Sequence, residues 1–339
     1  MKRFRTLAIV TAASVYGQIV LGGVVRITGS GLGCRDWPLC YQHESDRFAY
    51  RTLLEVSHRL FGTAAGLLVL ATAVSAYVIY ARARGPVAFP RGLWLTALAG
   101  LVLYGFQAVL GGVTVLMKNS PFTVAIHLGN ALLVLGVILL VALWAGRLAT
   151  GADRVSSAGR SVDADRVAGA DRVPDADRGR TPVFAYGGMV AAFLVVVSGA
   201  YVVGSGASAA CASWPLCGAT SFGPVLVDTH MLHRVVVGIA GAFIIAAAGV
   251  GARRWQPTRM ALVAYLTGVA LLVEVAIGAF QVLSGLPQGL RALHLALATL
   301  VWSGTVLMGA AHWLQTRPEA ASGVNRSRTP RPRAAEARG

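Results

Sequence analysis

The sequence predicts an all-α integral membrane protein whose eight transmembrane helices form two parallel-repeat four-helix bundles. Three observations carry that prediction: a composition too apolar for water, apolar runs of membrane-spanning length, and a set of motifs that occurs twice. Hydrophobic residues make up 55% of the 339 residues and charged residues only 13%, too few to cover a water-exposed surface. Inside a bilayer each backbone polar group must be satisfied within its own segment, which selects helices of about 20 apolar residues.

Eight runs meet that requirement. They are roughly Leu7 to Arg26, His58 to Ile79, Leu93 to Leu116, Phe122 to Trp144, Val183 to Val203, His230 to Val250, Met260 to Leu283, and Leu290 to Trp313. The first follows the basic stretch Met1-Lys2-Arg3-Phe4-Arg5 but continues through Gly22-Gly23 into Arg26 with no small-residue cleavage site. It is expected to be an uncleaved anchor rather than a signal peptide.

The net charge of +16 invites a nucleic-acid partner, and its distribution argues against one. Most of the 30 lysines and arginines lie at the two termini and in the even-numbered gaps, as at Lys2, Arg3, Arg5, Arg82, Arg84, Arg91, Arg147, Arg253, Arg254 and Arg259. That is the positive-inside pattern of a multi-pass protein of the plasma membrane, with both termini cytoplasmic and the odd-numbered gaps outside. The four cysteines pair in two of those outer gaps, Cys34 with Cys40 and Cys211 with Cys217. Thiols oxidise on that side, so two disulfides are expected. Zinc is the competing reading, but this spacing with no adjacent histidine is a poor zinc pattern.

Residues 150–181 repeat an Ala-Asp-Arg unit (Ala152-Asp153-Arg154, Ala164-Asp165-Arg166, Ala170-Asp171-Arg172, Ala176-Asp177-Arg178) and hold almost nothing that builds a core. They are expected to be a disordered cytoplasmic linker between a first half, 1–149, and a second, 182–316. The basic tail, 317–339, is expected to be disordered as well and to touch anionic lipid.

The halves repeat one another. Cys34 with Trp37-Pro38-Leu39-Cys40 recurs as Cys211 with Trp214-Pro215-Leu216-Cys217, and His58-Arg59 recurs as His233-Arg234. Gln107 is matched to Gln281 and His127 to His294. Four helices per half is an even number, so both halves keep the same membrane orientation.

Ionisable side chains are costly in lipid and mark functional interiors. His58, His127, His233 and His294 are expected in the first turns of helices two, four, six and eight, at similar depth beneath the outer surface. Two histidines from facing helices of a bundle can hold a haem between them. A lone histidine at a membrane edge is more often a packing residue, but two matched pairs are hard to explain by packing. His43 and His312 have no counterparts and are read as structural.

The halves differ at one informative place: three residues before His58 stands Glu55, and three before His233 stands His230. On a helix this spacing shares a face, so Glu55 points into the pocket of His58. There it can relay protons or stabilise a developing cation; the plainer alternative is an ion pair with Arg51 or Arg59. Arg26, Arg59 and Arg234 are candidate partners for haem propionates, although interfacial snorkelling explains them almost as well. Glu274, on an interior face with Gly278 and Gln281, is expected to make a helix–helix hydrogen bond and no catalytic contribution.

From about Val20 to Trp313, linker excepted, the chain resembles the haem A synthase family. The resemblance rests on Gly22-Gly23-Val24-Val25-Arg26-Ile27-Thr28-Gly29-Ser30-Gly31-Leu32, on the Trp-Pro-Leu-Cys loop, on Glu55-Val56-Ser57-His58-Arg59, and on Gln107 to Gly112 followed by His127. It implies an oxidoreductase that converts haem O to haem A by successive hydroxylation of one ring methyl (C8) to a formyl group, for a terminal cytochrome oxidase. It also implies that His58 and His127 bind the substrate, haem O, while His233 and His294 ligate the iron of a resident haem b. Glu55 matches the family's acidic residue, and Cys34/Cys40 its outer-loop pair. Candidate partners are the bilayer, the haem O synthase (protohaem farnesyltransferase), a quinol-type electron donor and a second copy of the chain.

A haem with histidine on both faces offers no free iron site for dioxygen. Either one ligand leaves during turnover, or electrons are drawn from the haem periphery while Glu55 stabilises a cation that water captures; the Glu55/His230 difference favours the second. The main rival function is a di-haem b electron-transfer protein linked to quinol, which has no need of Glu55. A transporter needs a midplane site and broken helices, and the polar residues here cluster at the outer edge instead.

Overall fold

The computed structural model describes residues 1–41, 49–83, 89–158, 181–218 and 220–316. Eight long helices follow one another: α1 (Lys2–Ile27), α2 (Ala49–Arg82), α3 (Arg91–Leu116), α4 (Pro121–Ala158), α5 (Thr181–Gly204), α6 (Pro224–Arg254), α7 (Arg259–Leu283) and α8 (Gln288–Thr316). Each contains a segment long and apolar enough to cross a membrane, and among the described residues there is no strand. The expected disordered linker is corrected at its start, because α4 continues through 150–158; residues 159–180, the tail and His43 lie outside those described.

Every predicted span lies within a helix, but α2 and α6 begin well before His58 and His230, at Ala49 and Pro224. Hydropathy registers only the part of a helix that lipid contacts; the backbone ladder continues through the polar turns beyond it. The expectation that the four histidines occupy first turns is therefore corrected. His58 and His233 each stand nine residues past the start of their helices, His127 and His294 six past theirs. At 1.5 Å per residue those depths are about 14 Å and about 9 Å along the helix.

The first four helices close a ring in which α1 packs on α2, α2 on α3, α3 on α4 and α4 on α1; α5 to α8 close a second ring with the same neighbour pattern. The rings meet through α1, α4, α5 and α8. Lipid offers no hydrophobic drive between apolar helices, so close packing and a few interhelical hydrogen bonds hold the seam. Ile19, Leu132, Leu135, Val196 and Trp302 form its buried centre. Trp302 Nε1 donates to the Leu132 carbonyl at 3.0 Å, and the Tyr16 hydroxyl donates to the Ala296 carbonyl at 3.1 Å. A second cluster gathers Phe4, Phe89, Leu93, Trp144 and Leu314, with Trp144 edge-on to Trp313. Leucines that face away from both rings, such as Leu53, Leu67, Leu262 and Leu272, stay exposed, as lipid contact allows.

Candidate functional site

A cavity of about 890 Å³ opens beside the two cysteine loops, and all four matched histidines line it. His58 projects from α2 and His127 from α4, which lie on a diagonal of the first ring; His233 on α6 and His294 on α8 repeat the arrangement in the second. Diagonal placement brings the two histidines of each ring to the cavity from non-adjacent helices.

Each imidazole is backed by a glycine of a neighbouring helix. A Cβ placed on Gly22 would lie 2.9 Å from Cε1 of His58, on Gly111 3.4 Å from that of His127, on Gly199 3.2 Å from that of His233, and on Gly278 2.9 Å from that of His294. The absent side chains make room for the rings.

Each imidazole also has a polar neighbour. Gln18 Nε2 lies 3.0 Å from His58 Nδ1, and Gln107 Nε2 lies 3.2 and 3.1 Å from the two ring nitrogens of His127. Gln107 is itself held, its Oε1 accepting from Asn130 Nδ2 at 2.7 Å. Ser198 Oγ lies 2.8 Å from His233 Nδ1. Glu274 Oε1 stands 2.8 Å from His294 Nδ1, but off the line along which a ring N–H donates, so that nitrogen and Oε2 are buried without a hydrogen bond.

Gln18, Gln107 and Glu274 each precede their glycine by four residues, one turn along the same helix face. This corrects the match of Gln107 to Gln281. Glu274, not Gln281, stands at the same interval before His294 as Gln107 does before His127, and it has the corresponding contact. Counting back from the second histidine would have found it. Gln18 and Ser198 carry no such signal, because nothing in the sequence states which face of α1 or α5 meets the next helix.

Glu55 is buried, 5% exposed, and lines the cavity. Its Oε1 accepts from Arg59 Nε at 3.0 Å, so the ion-pair alternative and the pocket position are both realised. Arg59 also donates to the carbonyls of Cys34, Pro38 and Leu39. In the second ring, His230 Nδ1 donates to the Ala207 carbonyl at 3.0 Å, Arg234 Nη2 donates to His230 Nε2 at 3.3 Å, and Arg234 Nη1 donates to the Pro215 carbonyl at 2.9 Å. Both arginines thus clamp a Trp-Pro loop over the cavity. Both loops are closed by the expected disulfides, Cys34–Cys40 and Cys211–Cys217.

Arg26 lines the cavity near the seam, with its Nε buried and unpartnered. Arg291 of α8, which the sequence reading missed, lines the same cavity. His312 is away from that cavity; it is buried, with its ring edge-on to Tyr186, which agrees with a structural role.

These residues fit a haem in each ring. Among the described residues no three or more His, Cys, Asp or Glu converge on one point, so a protein-only metal cage is not formed. Two imidazoles across an apolar space suit an iron whose remaining ligands come from a porphyrin, and the glycine backing leaves the rings free to meet it.

Residues 5–306 match the family described as Cytochrome oxidase assembly protein, COX15-CtaA. The Heme A synthase of Geobacillus kaustophilus is 31% identical over 280 residues, which cover 81% of this chain and 80% of that protein. That of Geobacillus thermodenitrificans is 27% identical over 290 residues, covering 84% of each chain. The Heme A synthase of Bacillus licheniformis is 29% identical over 300 residues, covering 86% of this chain and 90% of its own.

Proposed function

The chain belongs to the COX15-CtaA family of cytochrome oxidase assembly proteins, and from that premise we propose that it is a haem A synthase, oxidising a ring methyl of haem O to a formyl group. The observation that carries the reading is the pair of histidine-lined rings that differ at Glu55 and His230. A di-haem electron carrier would not require that difference.

In this reading the half formed by residues 1–149 receives haem O between His58 and His127. The half formed by 182–316 keeps a haem b between His233 and His294, with residues 150–181 linking the two. When bound, haem b supplies one-electron redox chemistry beside the substrate pocket. Gln18 and Gln107 stand behind the first pair of imidazoles, and Ser198 and Glu274 behind the second, where they would limit how each ring can turn towards a bound haem. Glu55 sits at the edge of the first pocket, where its carboxylate moves a proton or stabilises positive charge as the methyl group is oxidised. Arg59 holds Glu55 and the loop of Cys34 in register. Arg26 and Arg234 pair with propionates.

The chain is a multi-pass membrane protein. Both termini are assigned to the cytoplasm and the haem pockets to the outer face, from the distribution of arginine. A haem O synthase would deliver the substrate and a quinol-type donor the electrons; self-association is a further candidate.

The test is co-expression with a source of haem O, followed by haem extraction. Haem A in the extract, lost when His58 or His127 is replaced, supports the reading. Two haems b with no haem O or A would overturn it in favour of the electron carrier. Replacing His233 or His294 is expected chiefly to deplete haem b.

A further inference from the structure

Arg59 and Arg234 are matched residues in unmatched electrostatic surroundings. Both donate to the proline carbonyl of their own cysteine loop, and both line the cavity. The Arg59 guanidinium is balanced by the Glu55 carboxylate at 3.0 Å. The second ring has His230 in that place. A carbonyl oxygen only accepts, so the proton between His230 and Ala207 is on Nδ1, and Nε2 is free to accept from Arg234. An imidazole so bonded is neutral. Among the described residues no carboxylate lies at ion-pair distance from Arg234.

The same structural clamp therefore carries no net charge in one pocket wall and a full positive charge in the other. A guanidinium with no carboxylate partner of its own attracts an incoming carboxylate in fixed geometry. A guanidinium already paired to a wall carboxylate offers an incoming anion only a share of itself, beside a like charge.

We infer that the Glu55/His230 difference sets how firmly each pocket keeps its haem: Arg234, uncompensated, retains a propionate of the resident haem, whereas Glu55 occupies Arg59 and lets the first pocket release its occupant. Substrate and product must exchange at every turnover and the cofactor must not, so the two pockets need opposite retention. The inference rests on the assignment of haem O to the first pocket and haem b to the second.

The test is the rate at which the purified full-length protein gives up haem b to an excess of apomyoglobin. His230→Glu is expected to release it about tenfold faster or more, as loss of one charge-assisted contact implies. Arg234→Gln shifts release in the same direction, and His230→Gln, which still donates to Ala207 and accepts from Arg234, stays close to wild type. If His230→Glu does not fold, Arg234→Gln decides. Wild-type release from Arg234→Gln, or from folded His230→Glu, overturns the inference while loss of haem b in His233→Ala leaves the pocket assignment intact. Retention of haem b by His233→Ala overturns the assignment and the inference with it.

Discussion

Glu274 reaches to 2.8 Å of His294 from the position that Gln107 occupies beside His127 in the other half. The two contacts are built on the same helix face, one turn before the glycine that backs the ring, and differ in charge. A carboxylate beside an imidazole places a negative charge there that an amide does not.

If His294 ligates haem b as proposed, the Glu274 charge 2.8 Å from its ring favours the oxidised iron, so Glu274→Gln should raise the midpoint potential. Potentiometric titration followed in the haem bands measures it. A potential equal to wild type, at full haem occupancy, would show that the contact is only architectural.

Gly278→Ala should deplete haem b. The added Cβ would sit 2.9 Å from the His294 ring, and forcing a methyl into such a contact costs about 1–3 kcal/mol or turns the ring away. Gly249→Ala on α6, with nothing within 4 Å of its Cβ and outside the cavity lining, is the control and should keep normal haem content. Equal occupancy in the two variants would remove the glycine backing from the account.

Glu55→Ala should keep haem and lose haem A production, by on the order of 10²-fold or more if the carboxylate acts in proton transfer. Haem extraction from cells supplied with haem O reports it. An unchanged yield would refute the role assigned to Glu55. Because Arg59 holds both Glu55 and the loop carbonyls, the disulfide loop should remain in place and protect the comparison.

If Glu55 stabilises a cation that water captures, the formyl oxygen should come from water. Parallel reactions in labelled water and labelled dioxygen, with exchange of the formyl oxygen controlled, distinguish the routes. Label from dioxygen retained in the product would sink the water route.

Much of the architecture was legible along the chain. Length and apolarity identify all eight helices, and the Trp-Pro-Leu-Cys and His-Arg motifs identify the repeat, because each is a local pattern. The depth of His58 and His233 was not legible: hydropathy falls off where lipid ends, while α2 and α6 continue outward. The match of Gln107 to Gln281 failed for a related reason. Spacing from the disulfide loop drifts between the halves, whereas the interval back from the second histidine is the same in both.

By itself the sequence determined the membrane class, the pairing of histidines and cysteines, and the Glu55/His230 difference, since each is written in residue type and interval. The tertiary structure alone decided that Gln18 and Ser198 stand behind their imidazoles and which arginine keeps an unspent charge. Gln18 meets His58 and Ser198 meets His233 across intervals of 40 and 35 residues. Such pairs depend on how each helix is rotated against its neighbour, and that rotation is set by packing around the whole ring rather than by any one segment.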